Sequence, residues 1–125
     1  MSVINLLIRT EMEAVHNWST IPEKHTQSYL KYPHRHMFHI TVRFRVEDQD
    51  RELEFIEIKK RLNQWLAWQF KSRAGANPIE PFNIGSTSCE MLADRILHNF
   101  KIGDKLPNYV CVLEDGENGA EVYND

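Results

Sequence analysis

The sequence predicts an α+β domain in which an antiparallel sheet carries two helices on one face. Two changes of hydrophobic periodicity indicate this class. Between residues 37 and 46, apolar side chains recur at every second position, which is typical of a strand with one buried face. After Phe55 the apolar spacing becomes helical, and short alternating segments return near the end of the chain. The resulting order of strand, strand, helix, helix, strand, strand favours an α+β architecture.

The first half of the chain is predicted to contain two strands separated by a long loop. Residues 3–18 form the first strand, which becomes irregular near its end. Residues 34–47 form the second strand, and residues 48–50 (Asp-Gln-Asp) form the turn after it. The intervening residues 19–33 are predicted to be a loop, and loops of this length in a compact domain are usually functional or mobile.

Two helices are predicted in the second half. The first helix runs from Phe55 to near Phe70, and its apolar stripe consists of Phe55, Ile58, Leu62, Trp65, Leu66 and Gln69. Residues 71–85 include glycines and prolines and are predicted to be a second loop. The second helix begins after residues 86–88, whose hydroxyl groups can cap it, and Gly103 and Pro107 end it. Its stripe consists of Leu92, Ile96 and Phe100.

Two closing strands, at residues 109–113 and 120–123, are predicted to flank a hairpin loop at residues 115–119. Cys111 alternates with Tyr109 and Leu113 and is predicted to lie in the core. The stripe of the second helix extends back to Cys89. Burial of Cys89 as a small apolar residue is therefore favoured over a reactive thiol activated by the helix dipole.

The composition indicates a single globular domain over residues 1–125. Hydrophobic residues make up 42% of the chain and charged residues 26%, which is ordinary for a soluble protein. The net charge of −3 gives no electrostatic footprint for nucleic acid or an acidic membrane surface. No apolar run is long enough to span a membrane, and no signal-peptide pattern is found. Two cysteines do not make a disulfide framework, so we expect a cytoplasmic protein.

A candidate metal site begins at the head of the second strand, where the sequence reads His34-Arg35-His36. Residues two apart in a strand project to the same side, so both imidazoles can hold one metal ion. His16, near the end of the first strand, is the candidate third ligand. Three neutral histidines with one open position form the arrangement of a catalytic zinc centre. An isolated His-x-His motif, however, is more often a pair of surface or hydrogen-bonded histidines.

Five segments, in order along the chain, resemble motifs of the 6-pyruvoyl-tetrahydropterin synthase family, which includes the 6-carboxytetrahydropterin synthases of queuosine biosynthesis. Residues 13–16 (Glu-Ala-Val-His) resemble that family's Ala-Ala-His, and residues 34–38 (His-Arg-His-Met-Phe) resemble its His-Gly-His-Asn-Tyr. Residues 53–59 (Leu-Glu-Phe-Ile-Glu-Ile-Lys) are similar to Val-Asp-Phe-x-Asp-Leu-Lys, and residues 87–93 (Thr-Ser-Cys-Glu-Met-Leu-Ala) to Pro-Thr-Ser-Glu-Asn-Leu-Ala. Residues 110–114 (Val-Cys-Val-Leu-Glu) resemble the start of the Val-x-Val-x-Glu-Thr strand.

The resemblance implies a tunnelling fold (T-fold) of order ββααββ and a zinc ion bound by His16, His34 and His36. It also implies that Glu114 accepts hydrogen bonds from the ring edge of a pterin- or purine-like ligand, for which a carboxylate offers two coplanar acceptor oxygens. Ser88 falls where the family has a threonine near this pocket, although a role as helix cap is the simpler interpretation. The family's ring-like trimers and hexamers imply a homo-oligomer.

The chain departs from the family at its catalytic residues, which are a cysteine, an aspartate and a histidine. Leu30 stands four residues before His34, where the cysteine is expected, and residues 68–78 lack the Asp-His pair. His25, in the long loop, is the candidate replacement base, although a solvated loop histidine is the simpler interpretation.

Three hypotheses about function follow from this pattern. The chain is a carbon–oxygen lyase acting on dihydroneopterin triphosphate or an analogue, a non-catalytic module that binds a pterin- or purine-like molecule, or an assembly protein with remnant histidines.

Overall fold

The computed structural model describes residues 2–70 and 82–124 of the chain. The strands, in chain order, are β1 (Ile4–His16), β2 (His34–Val46), β3 (Phe82–Gly85), β4 (Tyr109–Glu114) and β5 (Asn118–Tyr123). The helices are α1 (Phe55–Gln69), α2 (Cys89–Asn99) and a short 3-10 helix (Ser28–Lys31) before β2. The α+β class and both predicted helices are confirmed.

The five strands form one mixed sheet in the order β3-β1-β2-β4-β5. β1 and β2 pair antiparallel along their whole length, from Ile4 opposite Val46 to His16 opposite His34. β2, β4 and β5 continue the antiparallel pairing, whereas β3 runs parallel to the end of β1. The register shifts between Val15 and His16, which agrees with the irregular end predicted for the first strand.

Two predictions are wrong at residues 82–85. The sheet is not purely antiparallel, and these last residues of the loop predicted at 71–85 form a strand. Residues 82–85 form β3, which pairs with residues 14–16 and buries Ile84 completely. A strand of four residues that ends in a glycine is too short to show an alternating pattern, so its sequence resembles a loop. Residues 71–81 lie outside the described part of the chain.

The core lies between one face of the sheet and the two helices. Even-numbered residues of β1, β2 and β4 point to this face, among them Ile8, Phe38, Phe44 and Val112, each at most 2% exposed. They form one cluster with buried residues of α1 and α2. Those helical residues are Ile58, Leu62, Leu66, Cys89, Leu92, Ala93, Ile96 and Leu97.

Two predicted core residues lie elsewhere. Cys111 is half-buried on the opposite face of the sheet, because Val110 and Val112 hold the buried positions of β4. Phe55 is 55% exposed because it is the first residue of α1, ahead of the turn that packs on the sheet. Among the described residues, no helix has the length and hydrophobicity required to cross a membrane.

Candidate metal centre and adjoining cavity

The paired ends of β1 and β2 bring the three predicted histidines together. His16 lies directly opposite His34, and His36 lies opposite Ala14, two residues back on β1. All three belong to the face of the sheet that carries the core, since each has the same parity as its buried neighbours. A strand pair with this register therefore places three imidazoles at one corner of the sheet.

The distances between the three rings are compatible with one shared ion. The ring centroids of His16 and His34 are 4.5 Å apart, those of His34 and His36 are 5.0 Å apart, and those of His16 and His36 are 5.4 Å apart. One ligand nitrogen from each ring lies within 4.8 Å of the other two. Ligands around tetrahedral zinc stand about 3.4 Å apart, given Zn–N bonds of about 2.0–2.1 Å. Small side-chain rotations therefore suffice to bring the nitrogens onto one cation.

Each histidine donates its Nδ1–H to an oxygen atom of the protein. The acceptor for His16 is the carbonyl oxygen of Thr87 at 2.8 Å, and that for His34 is the carbonyl oxygen of Tyr32 at 2.9 Å. The acceptor for His36 is Oδ2 of Asp115 at 2.7 Å. Because these oxygens can only accept, each ring carries a proton on Nδ1, and a neutral ring then presents the lone pair of Nε2 to a metal. Metal-ligating histidines are usually fixed in this way.

His16 is the most buried of the three histidines, with 7% of its surface exposed. Burial is the main cause that lowers its pKa below the ordinary 6.5, and it outweighs the opposing hydrogen bond to Thr87. The side chain is therefore neutral near pH 7, as a metal ligand must be. Its Nε2 is buried and has no hydrogen-bond partner among the described residues. An orphaned buried acceptor is costly, and a bound cation would satisfy it.

Glu114, the last residue of β4, places its carboxylate beside this cluster. Oε1 lies 3.3 Å from Nε2 of His16, and Oε2 lies 3.4 Å from Nε2 of His36. The Cys89 thiol, at the start of α2, donates to Oε1 of Glu114 at 3.7 Å. This side chain therefore joins the histidine cluster to the cavity beside it.

Cys89 is 5% exposed, which confirms its predicted burial. Its pKa is raised to about 12, mainly by burial and next by the neighbouring charge of Glu114. The N-terminal position in α2 therefore does not produce a thiolate here, because desolvation and a nearby carboxylate outweigh the helix dipole. Cys89 is a hydrogen-bond donor at neutral pH and not a base.

A cavity of about 460 Å³ adjoins the histidines. This volume is within the usual range for small-molecule sites. Its polar end is formed by His16, His34 and Glu114, and its apolar wall includes Trp18, Leu30 and Met91. The combination of apolar walls and a few convergent polar groups is typical of small-molecule sites.

Ser88 has the capping role that the sequence favoured. Its hydroxyl oxygen accepts from the backbone N–H of Met91 at 3.1 Å and caps α2. Ser88 also lines the cavity. Since the cap uses only an acceptor lone pair, the O–H of Ser88 remains able to donate to a ligand.

His25 is not among the described residues that line the cavity. Its ring packs edge-on against Trp18, with centroids 5.0 Å apart, and its Nδ1 accepts from the backbone N–H of Gln27 at 2.9 Å. Its role in proton transfer stays a prediction. Leu30, where the family's cysteine is expected, does line the cavity and brings no titratable group to it. Most of the segment compared with the family's Asp-His pair, residues 71–78, lies outside the described residues.

The sequence analysis did not predict the oxygen atoms that accept hydrogen bonds from Nδ1 of the three histidines. Asp115 follows the predicted Glu114 directly and precedes Gly116, and Asp-Gly is a strong hairpin signal. Nothing in the sequence, however, shows that β4 lies next to β2. That pairing, with Glu114 opposite Phe38, is what carries Asp115 to His36.

In comparisons with known proteins, no protein-family model matches this chain, and no curated protein matches it.

Proposed function

We propose that this protein binds one zinc ion through His16, His34 and His36, and a pterin- or purine-like molecule in the adjoining cavity. The observation that carries the proposal is the shared arrangement of the three imidazoles, each of which donates Nδ1–H to an oxygen and leaves Nε2 for a cation. Imidazole nitrogen is a preferred ligand of zinc. The resemblance to 6-pyruvoyl-tetrahydropterin synthases supports a T-fold and the class of ligand.

In this proposal each side chain around the cavity has a separate task. The zinc ion, when bound, would act as a Lewis acid toward hydroxyl or carbonyl oxygens of the ligand. Glu114 accepts from the ring N–H groups through its two carboxylate oxygens. Ser88 donates its hydroxyl proton, and the apolar side chains of Trp18 and Leu30 exclude water from the ring faces.

Two observations favour binding without catalysis over the lyase alternative. Leu30 lines the cavity where the family's cysteine is expected. Cys89, the described thiol nearest the histidine cluster, remains protonated because its pKa is raised to about 12. A lyase acting on dihydroneopterin triphosphate would need another base, for which His25 is the proposed residue. The two free cysteines are in keeping with a reducing compartment such as the cytoplasm.

The metal site is tested by measuring zinc per chain with mass spectrometry, after dialysis against a weak chelator. We expect one zinc ion per chain and its loss in His34→Ala and His36→Ala. His39→Ala is the matched control, because His39 belongs to the same strand but lies on the opposite face, 3.4 Å from Glu11. A parent protein without stoichiometric zinc, or equal loss in the control, would contradict the proposal.

The ligand is tested with dihydroneopterin triphosphate and, as a purine probe, GTP. A binding protein is expected to show a higher melting temperature with one of these compounds and no release of triphosphate. Release of triphosphate from dihydroneopterin triphosphate at a catalytic rate would instead support the lyase. No stabilisation and no release with either compound would contradict a pterin or purine site.

A further inference from the structure

The turn between β4 and β5 holds Asp115 in an uncommon backbone conformation. The backbone N–H of Glu117 donates to the carbonyl oxygen of Glu114 at 2.9 Å and closes the turn. Its two central residues both have positive φ, 54° at Asp115 and 73° at Gly116, as in a type I′ turn. Positive φ is unfavourable for residues other than glycine, although aspartate and asparagine tolerate it better than most. Asp115 thus occupies a position at which glycine would be conformationally easier.

The side chain of Asp115 makes two directed contacts with β2. Oδ1 accepts from the backbone N–H of Met37 at 2.9 Å, and Oδ2 accepts from Nδ1 of His36 at 2.7 Å. The backbone N–H of Asp115 in turn donates to the carbonyl oxygen of Met37 at 2.7 Å. Two side-chain contacts and one backbone hydrogen bond therefore fix Asp115 relative to the strand that carries His36.

The three histidines differ in the kind of group that accepts the hydrogen bond from Nδ1. His16 and His34 donate to backbone carbonyl oxygens, those of Thr87 and Tyr32, which no substitution can remove. Among the three, His36 alone donates to a side chain. Its tautomer therefore depends on the identity of residue 115.

We infer that Asp115 is a positioning residue of the proposed metal centre, which keeps the proton of His36 on Nδ1 and aims Nε2 at the cation. This inference rests on the proposed zinc site. A carboxylate that accepts from the far nitrogen of a ligating imidazole also increases the basicity of the near one. Asp115 itself does not contact the cation in this scheme and acts only through His36.

Two substitutions separate this role from a structural role in the turn. Asp115→Asn keeps the size of the side chain and tolerates positive φ. Its single oxygen is expected to accept from Met37 N–H, since that backbone donor must be satisfied. Its NH₂ group then faces His36 Nδ1, which must accept, so the proton moves to Nε2 and blocks metal binding. Asp115→Gly relaxes the backbone and leaves Nδ1 of His36 to water.

The positioning role predicts zinc affinities about 10–100-fold weaker in both variants, as is usual for the loss of an outer-shell carboxylate. It also predicts that Asn weakens binding at least as much as Gly. A structural role predicts the reverse order, because Asn preserves the turn and the Met37 contact. Zinc affinity is measured by competition with a chromophoric chelator at pH 7.5.

The second readout is the imidazole ¹⁵N spectrum of the zinc-free protein, which reports the tautomer of His36. We expect Nδ1–H in the parent protein and Nε2–H in Asp115→Asn. Glu11→Gln is the matched control, since it alters the carboxylate beside His39 on the opposite face, and its zinc affinity should equal that of the parent. Affinities of both Asp115 variants within two-fold of the parent, or a milder effect of Asn than of Gly, would overturn the inference. A parent that binds no zinc contradicts the proposed function itself.

Discussion

At the scale of single residues, Glu114 connects the histidine cluster with the cavity. Its carboxylate contacts two imidazoles and the Cys89 thiol and also faces the cavity. It is therefore within reach of both a cation and the ring edge of a ligand. The proposal assigns it to the ring, where two acceptor oxygens match two adjacent N–H donors.

We expect Glu114→Gln to weaken binding of dihydroneopterin triphosphate by about 10-fold or more, because one acceptor oxygen becomes a donor and a charge-assisted hydrogen bond is lost. Zinc content should stay at one ion per chain. Binding is measured by isothermal calorimetry, with Glu117→Gln as the control, since Glu117 is an exposed residue of the same turn. If Glu114→Gln loses zinc while the ring still binds, the carboxylate is a metal ligand instead.

The histidines of the site could be predicted from the sequence. The oxygen atoms that accept their Nδ1–H hydrogen bonds could not. His34 and His36 converge because strand periodicity alone places them on one face. The acceptors Thr87 and Asp115 lie 71 and 79 residues away in sequence from the histidines they contact. Their positions depend on the placement of α2 and on the pairing of β4 with β2, which no local pattern encodes.

At the scale of elements, both helices begin at a side-chain cap that the sequence suggested only for α2. Glu54 accepts from the backbone N–H groups of Ile56 and Glu57 at the start of α1, and Ser88 accepts from that of Met91. A carboxylate at the N-terminus also interacts favourably with the helix dipole. The strand β3 was missed because its own four residues show no strand pattern. It is a strand only because it pairs with β1.

Ser88→Ala should lower the free energy of unfolding by about 1 kcal/mol, the usual cost of losing an N-cap. Glu54→Ala should lower it by a similar amount through α1. Because only Ser88 also lines the cavity, only Ser88→Ala should weaken ligand binding in addition. Urea unfolding and calorimetry measure the two effects. An unchanged free energy of unfolding in Ser88→Ala would show that its cap is not stabilising.

The β4–β5 hairpin depends on Gly119. A Cβ atom at this position would lie 1.8 Å from the carbonyl oxygen of Val112 and 2.8 Å from Cα of Leu113, so the strands would have to separate. We expect Gly119→Ala to lower the free energy of unfolding by about 2 kcal/mol or more.

The matched control is Gly103→Ala, where φ is +63° but nothing lies within 4 Å of the added atom. Only backbone strain of about 1 kcal/mol is expected there. Urea unfolding compares the two variants. Equal effects would mean that the contact with β4 is relieved without cost.

At the scale of the whole molecule, an ion pair joins two distant segments. Glu52, before α1, pairs with Lys105, after α2, and also accepts from the backbone N–H groups of Glu47 and Asp48. These contacts, with Lys105 as the largest cause, lower the pKa of Glu52 from 4.5 to about 2. The folded state therefore prefers the ionised carboxylate.

Since its folded pKa is depressed, Glu52 stabilises the protein fully above pH 4.5, and this contribution is lost as the pH falls toward 2. Glu52→Gln should therefore be less stable than the parent above pH 4.5, and the difference should shrink between pH 4.5 and 2. Urea unfolding at several pH values measures it. A difference that does not change with pH would rule out ionisation of Glu52 as its source.

The sheet leaves two stretches of backbone open for pairing among the described residues. β5 has a neighbour only on its β4 side, and β1 has β3 beside it only at residues 14–16. Open edges of this length favour pairing with another chain. We therefore expect a homo-oligomer, as the resemblance implies, with a mass by light scattering of a trimer or hexamer. A mass of one chain would contradict this expectation.

The order of the longer strands and the two helices was predictable because the long elements have their own hydrophobic period, as in β2 and α1. The mixed character of the sheet was not, since the parallel partner of β1 is short and flanked by residues 71–81, which carry no pattern.

The different surroundings of the two thiols have a practical consequence for chemical labelling. Cys89 is buried and holds its proton to a pKa of about 12, so alkylating reagents should modify it very slowly at neutral pH. Cys111 is partly exposed on the outer face of the sheet. A maleimide fluorophore should therefore attach to Cys111 alone and place a reporter dye opposite the cavity, without any engineered cysteine.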